Sequence, residues 1–97
     1  MNIYDLAKPE SDRETFVTFY QTGSLKIEGI RSHLTRPGIE YFQQEDEWVI
    51  LLEGAAQLEM DGELRRLQKG DFLFIPRHTP HRVLSTSNDA LWIAIFS

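Results

Sequence analysis

Residues 41–54, YFQQEDEWVILLEG, and their echo at residues 70–83, GDFLFIPRHTPHRV, decide the reading of this chain. Each passes from a polar approach through a short apolar run to a turn. Side chains alternate along a strand, so Tyr41, Gln43, Glu45, Glu47, Val49 and Leu51 share one face if no bulge intervenes. Phe42, Trp48, Ile50 and Leu52 share the other. An acid beside Val49 and Leu51 on a core-facing side is costly unless it is paired, hydrogen-bonded or bound to a cation. Glu47 is therefore the most informative carboxylate. The alternative is a solvated turn over residues 45–47, which is the favoured reading for Glu45 and Asp46.

The second stretch carries His78 and His81 around Pro76 and Pro80. Imidazole is a common ligand for zinc, iron, nickel or copper, whereas a lone histidine is more often a surface or hydrogen-bonding group. Gln43 adds a neutral oxygen donor on the face of Glu47. His33, one more strand histidine, adds little. The chain has no cysteine, so disulfides and thiolate metal sites are excluded and any metal must sit among imidazole, carboxylate and amide ligands.

Outward from these stretches the pattern is almost all strand. Residues 25–34 alternate, Arg36-Pro37-Gly38 turns, residues 39–42 begin the next strand, and residues 48–52 are apolar on both faces. Ala56, Leu58 and Met60 alternate with Gln57 and Glu59 before Asp61-Gly62, a strong hairpin signal. Strands follow over residues 63–67, 72–75, 82–85 and 91–96, with a buried strand expected at 72–75. Short strands at regular spacing indicate a small barrel or sandwich. The exception is expected near the N-terminus. Ser11-Asp12-Arg13-Glu14 matches a capping box, Phe16, Val17 and Tyr20 fall at helical spacing, and Thr22-Gly23 offers a stop, so a short helix is the favoured reading there, with a strand as the alternative from the β-branched and aromatic content of FVTFY. Residues 1–24 then form a lead-in with that helix, and residues 25–97 the barrel.

Ninety-seven residues make one domain. With 41% hydrophobic and 26% charged residues the composition is that of a soluble globular protein. A net charge of -5 disfavours nucleic acid and anionic membranes, which are held mainly by lysine and arginine. The N-terminus lacks a signal-peptide core and no apolar run reaches the roughly 20 residues of a membrane span, so a cytoplasmic location is expected. No serine elbow, phosphate loop or dinucleotide-binding glycine pattern is present.

The two stretches resemble the paired motifs of the cupin superfamily. The second cupin motif is a Gly, five residues, a Pro, one residue, usually a Gly, two residues and a metal-binding His. Gly70, Pro76, His78 and His81 fall on those places, with His78 where glycine is common. The first motif ends in Glu, six residues, Gly, which Glu47 and Gly54 match. Family members usually place His-x-His a few residues before that glutamate, and here Tyr41 and Gln43 stand there instead. The wording of residues 42–60 also resembles a branch of small single-domain bacterial cupins with a similar Gln and Trp pattern.

The resemblance implies an all-β fold, a cupin-type double-stranded β-helix or small jelly-roll barrel. It implies a divalent metal (zinc, iron, nickel or manganese) held by Gln43, Glu47 and His81. Tyr41, His78 or Arg82 would contact a small-molecule ligand, with Tyr41 and His78 as the catalytic candidates. The activity expected is that of a metal-dependent oxygenase or isomerase. The alternatives are a non-catalytic small-molecule-binding barrel with a degenerate metal site, and a structural unit with a relic pocket. A homodimer is expected, through the outward face carrying Trp48, Ile50 and Leu52.

Overall fold

In the computed structural model, which describes residues 1–97, the alternation of apolar and polar side chains governs most of the chain. Eight strands follow one short 3-10 turn, Ile3–Asp5. They are β1 Arg13–Thr22, β2 Leu25–His33, β3 Glu47–Glu53, β4 Ala55–Met60, β5 Glu63–Gln68, β6 Phe72–Ile75, β7 His81–Thr86 and β8 Ala90–Phe96. They form two antiparallel sheets: five strands in the order β1-β2-β8-β3-β6, and three in the order β5-β4-β7.

The sheets face each other over a core of Val49, Leu51, Ala56, Leu58, Leu67, Ala90, Trp92 and Ala94. Leu51 is fully buried, and removing such a side chain from water stabilises the fold by roughly 1.5–3 kcal/mol. Asp61-Gly62 closes the β4–β5 hairpin with both residues at positive φ, 51° and 80°. Gly54 (φ 81°) turns β3 into β4, and a Cβ there would collide with Ser87 Oγ and lie 3.0 Å from Ala90 Cα.

Three sequence expectations are corrected. The helix expected over residues 11–22 is strand β1, paired with β2 from Arg13↔His33 to Thr22↔Leu25. No helix follows the Ser11 cap candidate: Asp12, at φ 62°, makes a turn, and its carboxylate accepts from the Thr35 N–H at 2.8 Å and the Thr35 hydroxyl at 2.8 Å. Pairing of the β-branched and aromatic run 15–20 outweighs its helical spacing. Residues 39–42 form no strand beyond a single bridge, Tyr41↔His81. Strand β6 is an edge of its sheet: Ile75 is buried, but Phe72 and Phe74 face outward and are exposed.

The N-terminal segment is tied down by Arg31, a buried arginine on the outer face of β2. Its guanidinium donates to the carbonyls of Leu6 at 3.1 Å, Asp89 at 2.9 Å and Tyr4 at 3.2 Å, and pairs with Glu53 at 3.2 Å. Each of its nitrogens is thereby satisfied, which a buried charge requires. Nothing in the local pattern of residues 25–34 marks this role.

Candidate functional site

One end of the space between the sheets is filled by the core. The other is a cavity of about 430 Å³, within the range of small-molecule sites. Val49, Leu58 and Trp92 belong to both the core and the cavity lining, so they form its floor. The odd-numbered face of the first stretch, Tyr41, Gln43, Glu45, Glu47 and Val49, lines it as alternation requires. His81 and Val83 of β7 line the opposite sheet, and Glu14, Phe16, Lys26, Glu28 and Ile30 of β1 and β2 line the far wall.

The polar centre is Glu47, His81 and Gln43. Glu47 is the first residue of β3 and His81 the first of β7, each only 7% exposed. Gln43 Nε2 donates to Glu47 Oε1 at 3.0 Å, and His81 Nε2 lies 3.4 Å from the same oxygen. The other ring nitrogen fixes the tautomer. His81 Nδ1 is 2.9 Å from the Thr79 carbonyl, which can only accept, so Nδ1 carries a hydrogen. In the neutral ring Nε2 then presents a lone pair to a carboxylate oxygen. Two acceptors at that distance are held together only by a proton or a cation between them. The His81 pKa shows the same balance. Burial pulls it down, but the hydrogen bonds to Glu47 and Thr79 and the charges of Glu47 and Glu40 outweigh this and raise it above 6.5.

The donor set fits a divalent cation with an open coordination sphere. It offers one imidazole with its second nitrogen anchored to a carbonyl, the arrangement that orients metal-binding histidines. It adds one buried carboxylate and one amide whose oxygen ligates when the amide turns over. No group of three His, Asp or Glu side chains converges anywhere in the chain, so water or a bound ligand would have to complete the shell.

Tyr41 joins the first stretch to the second. It exchanges both backbone hydrogen bonds with His81, at 2.7 and 3.0 Å, and its ring stacks on the imidazole at a centroid distance of 5.8 Å. Burial, then the charges of Glu14, Glu47 and Glu28, raise its pKa above 10.0. At neutral pH it is a phenol, able to donate a proton or a hydrogen bond into the cavity.

His78 stands apart. It is exposed, lies outside the cavity lining, stacks on Phe42 at 5.6 Å and hydrogen-bonds Gln44 Oε1 at 2.9 Å. Its φ of 62° belongs to the left-handed region, which is why glycine suits this place. Arg82 also points away, pairing with Glu40 at 2.8 Å and Glu59 at 4.0 Å. His33 does not line the cavity. Asp46 ties the turn: its carboxylate accepts from the Arg77 N–H at 2.9 Å, and its backbone exchanges both hydrogen bonds with Ser97.

Sequence reading missed the far wall. Trp92 Nε1 donates to Ser32 Oγ at 3.1 Å, and Ser32 Oγ donates to Glu14 Oε2 at 2.6 Å. Burial raises the Glu14 pKa above 4.5 against the opposing hydrogen bond from Ser32. The only sequence signal was the alternation of Glu14 with Phe16, visible once β1 is read as a strand.

Comparison with known proteins gives a consistent picture. The family model described as "Cupin domain" matches residues 36–96. A structure of a provisionally named mannose-6-phosphate isomerase from Ralstonia eutropha JMP134 is similar at 30% identity and TM-score 0.84, covering 99% of this chain and 94% of that one. KdgF from Halomonas sp. is similar at 27% identity and TM-score 0.79, covering 87% of this chain and 77% of that one. An uncharacterised protein of Aquifex aeolicus (strain VF5) is 35% identical over 57 residues, 59% of this chain and 47% of that relative, so the match spans about half of its length.

Proposed function

The chain belongs to the cupin family, and from that premise we propose that it is a small-molecule-binding cupin whose cavity holds a divalent cation through His81, Glu47 and Gln43. The observation that carries this is His81 Nε2 facing Glu47 Oε1 at 3.4 Å while Nδ1 is committed to the Thr79 carbonyl. A cation there, whether zinc, iron, nickel or manganese, supplies a Lewis acid for a ligand oxygen.

The residues of the chain do the rest. Tyr41 presents a protonated phenol beside the imidazole, and Val49, Leu58 and Trp92 form an apolar floor. These features suit isomerase-type chemistry on an oxygen-bearing small molecule, with oxygenase chemistry following if the cation is iron. The similarity to the Ralstonia protein supports the isomerase class. A phosphorylated sugar is a poor fit here, because Glu14, Glu28, Glu45 and Glu47 line the cavity and its only cationic side chains are Lys26 and His81. His78 lies off the cavity, so the catalytic role falls to Tyr41.

A second reading is favoured by one contact. Gln43 donates to Glu47 rather than offering it a neighbouring oxygen, which suits a non-catalytic barrel with a degenerate metal site. Elemental mass spectrometry of tag-free protein, beside His81→Ala, separates the two. About one equivalent of metal per chain, absent from the variant, supports the cation site. No metal after purification and none taken up on titration leaves the non-catalytic reading.

The protein is proposed to act in the cytoplasm, without nucleic acid or membrane partners, as a homodimer. Trp48 packs tilted against Phe74 at 5.1 Å, and Phe72 lies exposed on the same outer face as Ile50. A second copy covering that face would remove a contiguous apolar surface from water.

A further inference from the structure

Four carboxylates line the cavity, and three of them are accounted for. Glu28 Oε2 lies 3.1 Å from Lys26 Nζ, which also sits over the Phe96 ring at 5.2 Å. Glu47 has His81 and Gln43. Glu45 is exposed at the rim. Glu14 alone is half-buried with no cation beside it. Its one side-chain partner is the neutral hydroxyl of Ser32, bound to Oε2, and Oε1 is left open to solvent in the cavity.

That arrangement is built rather than incidental. Ser32 is fully buried and Trp92 nearly so, and the indole N–H holds the hydroxyl so that its hydrogen points at Glu14. The carboxylate is therefore fixed in place, with one oxygen satisfied and the other free toward a space lined by Phe16, Ile30 and Trp92. A half-buried carboxylate with one open oxygen and no counter-ion gains a charge-assisted hydrogen bond from a cation carried by the ligand. Aromatic faces around it add to the attraction for a positive group.

We propose that the cavity selects a small molecule bearing a protonated amine, whose ammonium group is bound by Glu14 on strand β1. This rests on the reading of the cavity as a ligand site, but not on its holding a metal. Ligands of similar size carrying a carboxylate or phosphate are rejected by the same wall.

The test uses three probes of one shape, cyclohexylamine, cyclohexanol and cyclohexanecarboxylate, titrated into the protein while the Trp92 indole N–H is followed by NMR. The amine is expected to shift that signal and to bind at least about tenfold more tightly than the alcohol, with the carboxylate weaker still. Glu14→Gln should erase the advantage, Glu14→Asp should keep part of it, and His78→Ala, off the cavity, should leave it intact. Equal binding of amine and alcohol, a preference for the carboxylate, or an advantage that survives Glu14→Gln overturns the proposal. Failure of all three probes to bind overturns it together with the ligand-site reading. Metal content, measured separately, moves neither result.

Discussion

Tyr41 and His81 are bound to each other twice over, by a reciprocal pair of backbone hydrogen bonds and by stacked rings. The hydroxyl of Tyr41 takes no part in either contact. Tyr41→Phe should therefore keep the bridge, changing stability by less than about 0.5 kcal/mol, and leave metal uptake as in wild type. Ligand affinity should fall, by about tenfold where the lost group is one hydrogen-bond donor. A variant that melts several degrees lower would show that the phenol holds the fold rather than the ligand.

Gln43 occupies a place where the family usually carries an imidazole. Gln43→His gives the cavity a second nitrogen donor beside Glu47 and His81, and zinc or nickel affinity should rise by roughly tenfold or more. Calorimetric titration of both proteins would check this. An unchanged affinity would mean that residue 43 does not reach the cation.

His78 holds a left-handed backbone without contributing to the cavity. His78→Gly relieves that conformation at a cost in chain entropy and loses the contacts to Gln44 and Phe42, so its stability should stay within about 1 kcal/mol of wild type. Metal and ligand binding should not change. Loss of either in an otherwise folded His78→Gly would return this histidine to the site.

Gly54 has neither the backbone angle nor the space for a side chain. Gly54→Ala should cost roughly 1–3 kcal/mol through the positive φ alone, with the clash against Ser87 added. Urea denaturation is the direct measurement. A cost under about 0.5 kcal/mol would mean that the β3–β4 turn can shift without loss.

Glu14 makes the pH dependence specific. Its folded-state pKa is raised above 4.5, mainly by burial, so the folded state holds this proton more tightly than the unfolded chain. The stabilisation is fully present below about pH 4.5 and is lost as pH rises through the raised value. Glu14→Gln keeps an oxygen for Ser32 and has no charge to bury. It should melt higher than wild type at neutral pH, with the difference shrinking as pH falls toward 4. A gap independent of pH would assign the effect to packing instead.

The strands built on alternation were legible because each has one face against the core: β3, β4, β5 and β8 fall within a residue or two of the pattern. The same periodicity placed Tyr41, Gln43, Glu45 and Glu47 on one face, and they do line the cavity. β1 was not legible, because Ser11-Asp12-Arg13-Glu14 has the composition of a helix cap while its partners lie elsewhere: Thr35 for Asp12, Ser32 for Glu14. Arg31 was hidden for a similar reason, since its partners at Leu6, Glu53 and Asp89 are distant in sequence. The motif set His81 on the metal-binding place and His78 where glycine is common, and the proline corner leaves His78 exposed while His81 is buried.

The far wall, with Glu14 and Phe16 on β1 and Lys26, Glu28 and Ile30 on β2, lies outside the segment that the family model recognises, residues 36–96. Two relatives can thus agree across every residue of that segment and still present different chemistry to the same ligand. Diversification of what such proteins hold can proceed in the first two strands while the half that carries Glu47 and His81 stays unchanged. An inference of shared substrate drawn from the matched segment compares only one side of the container.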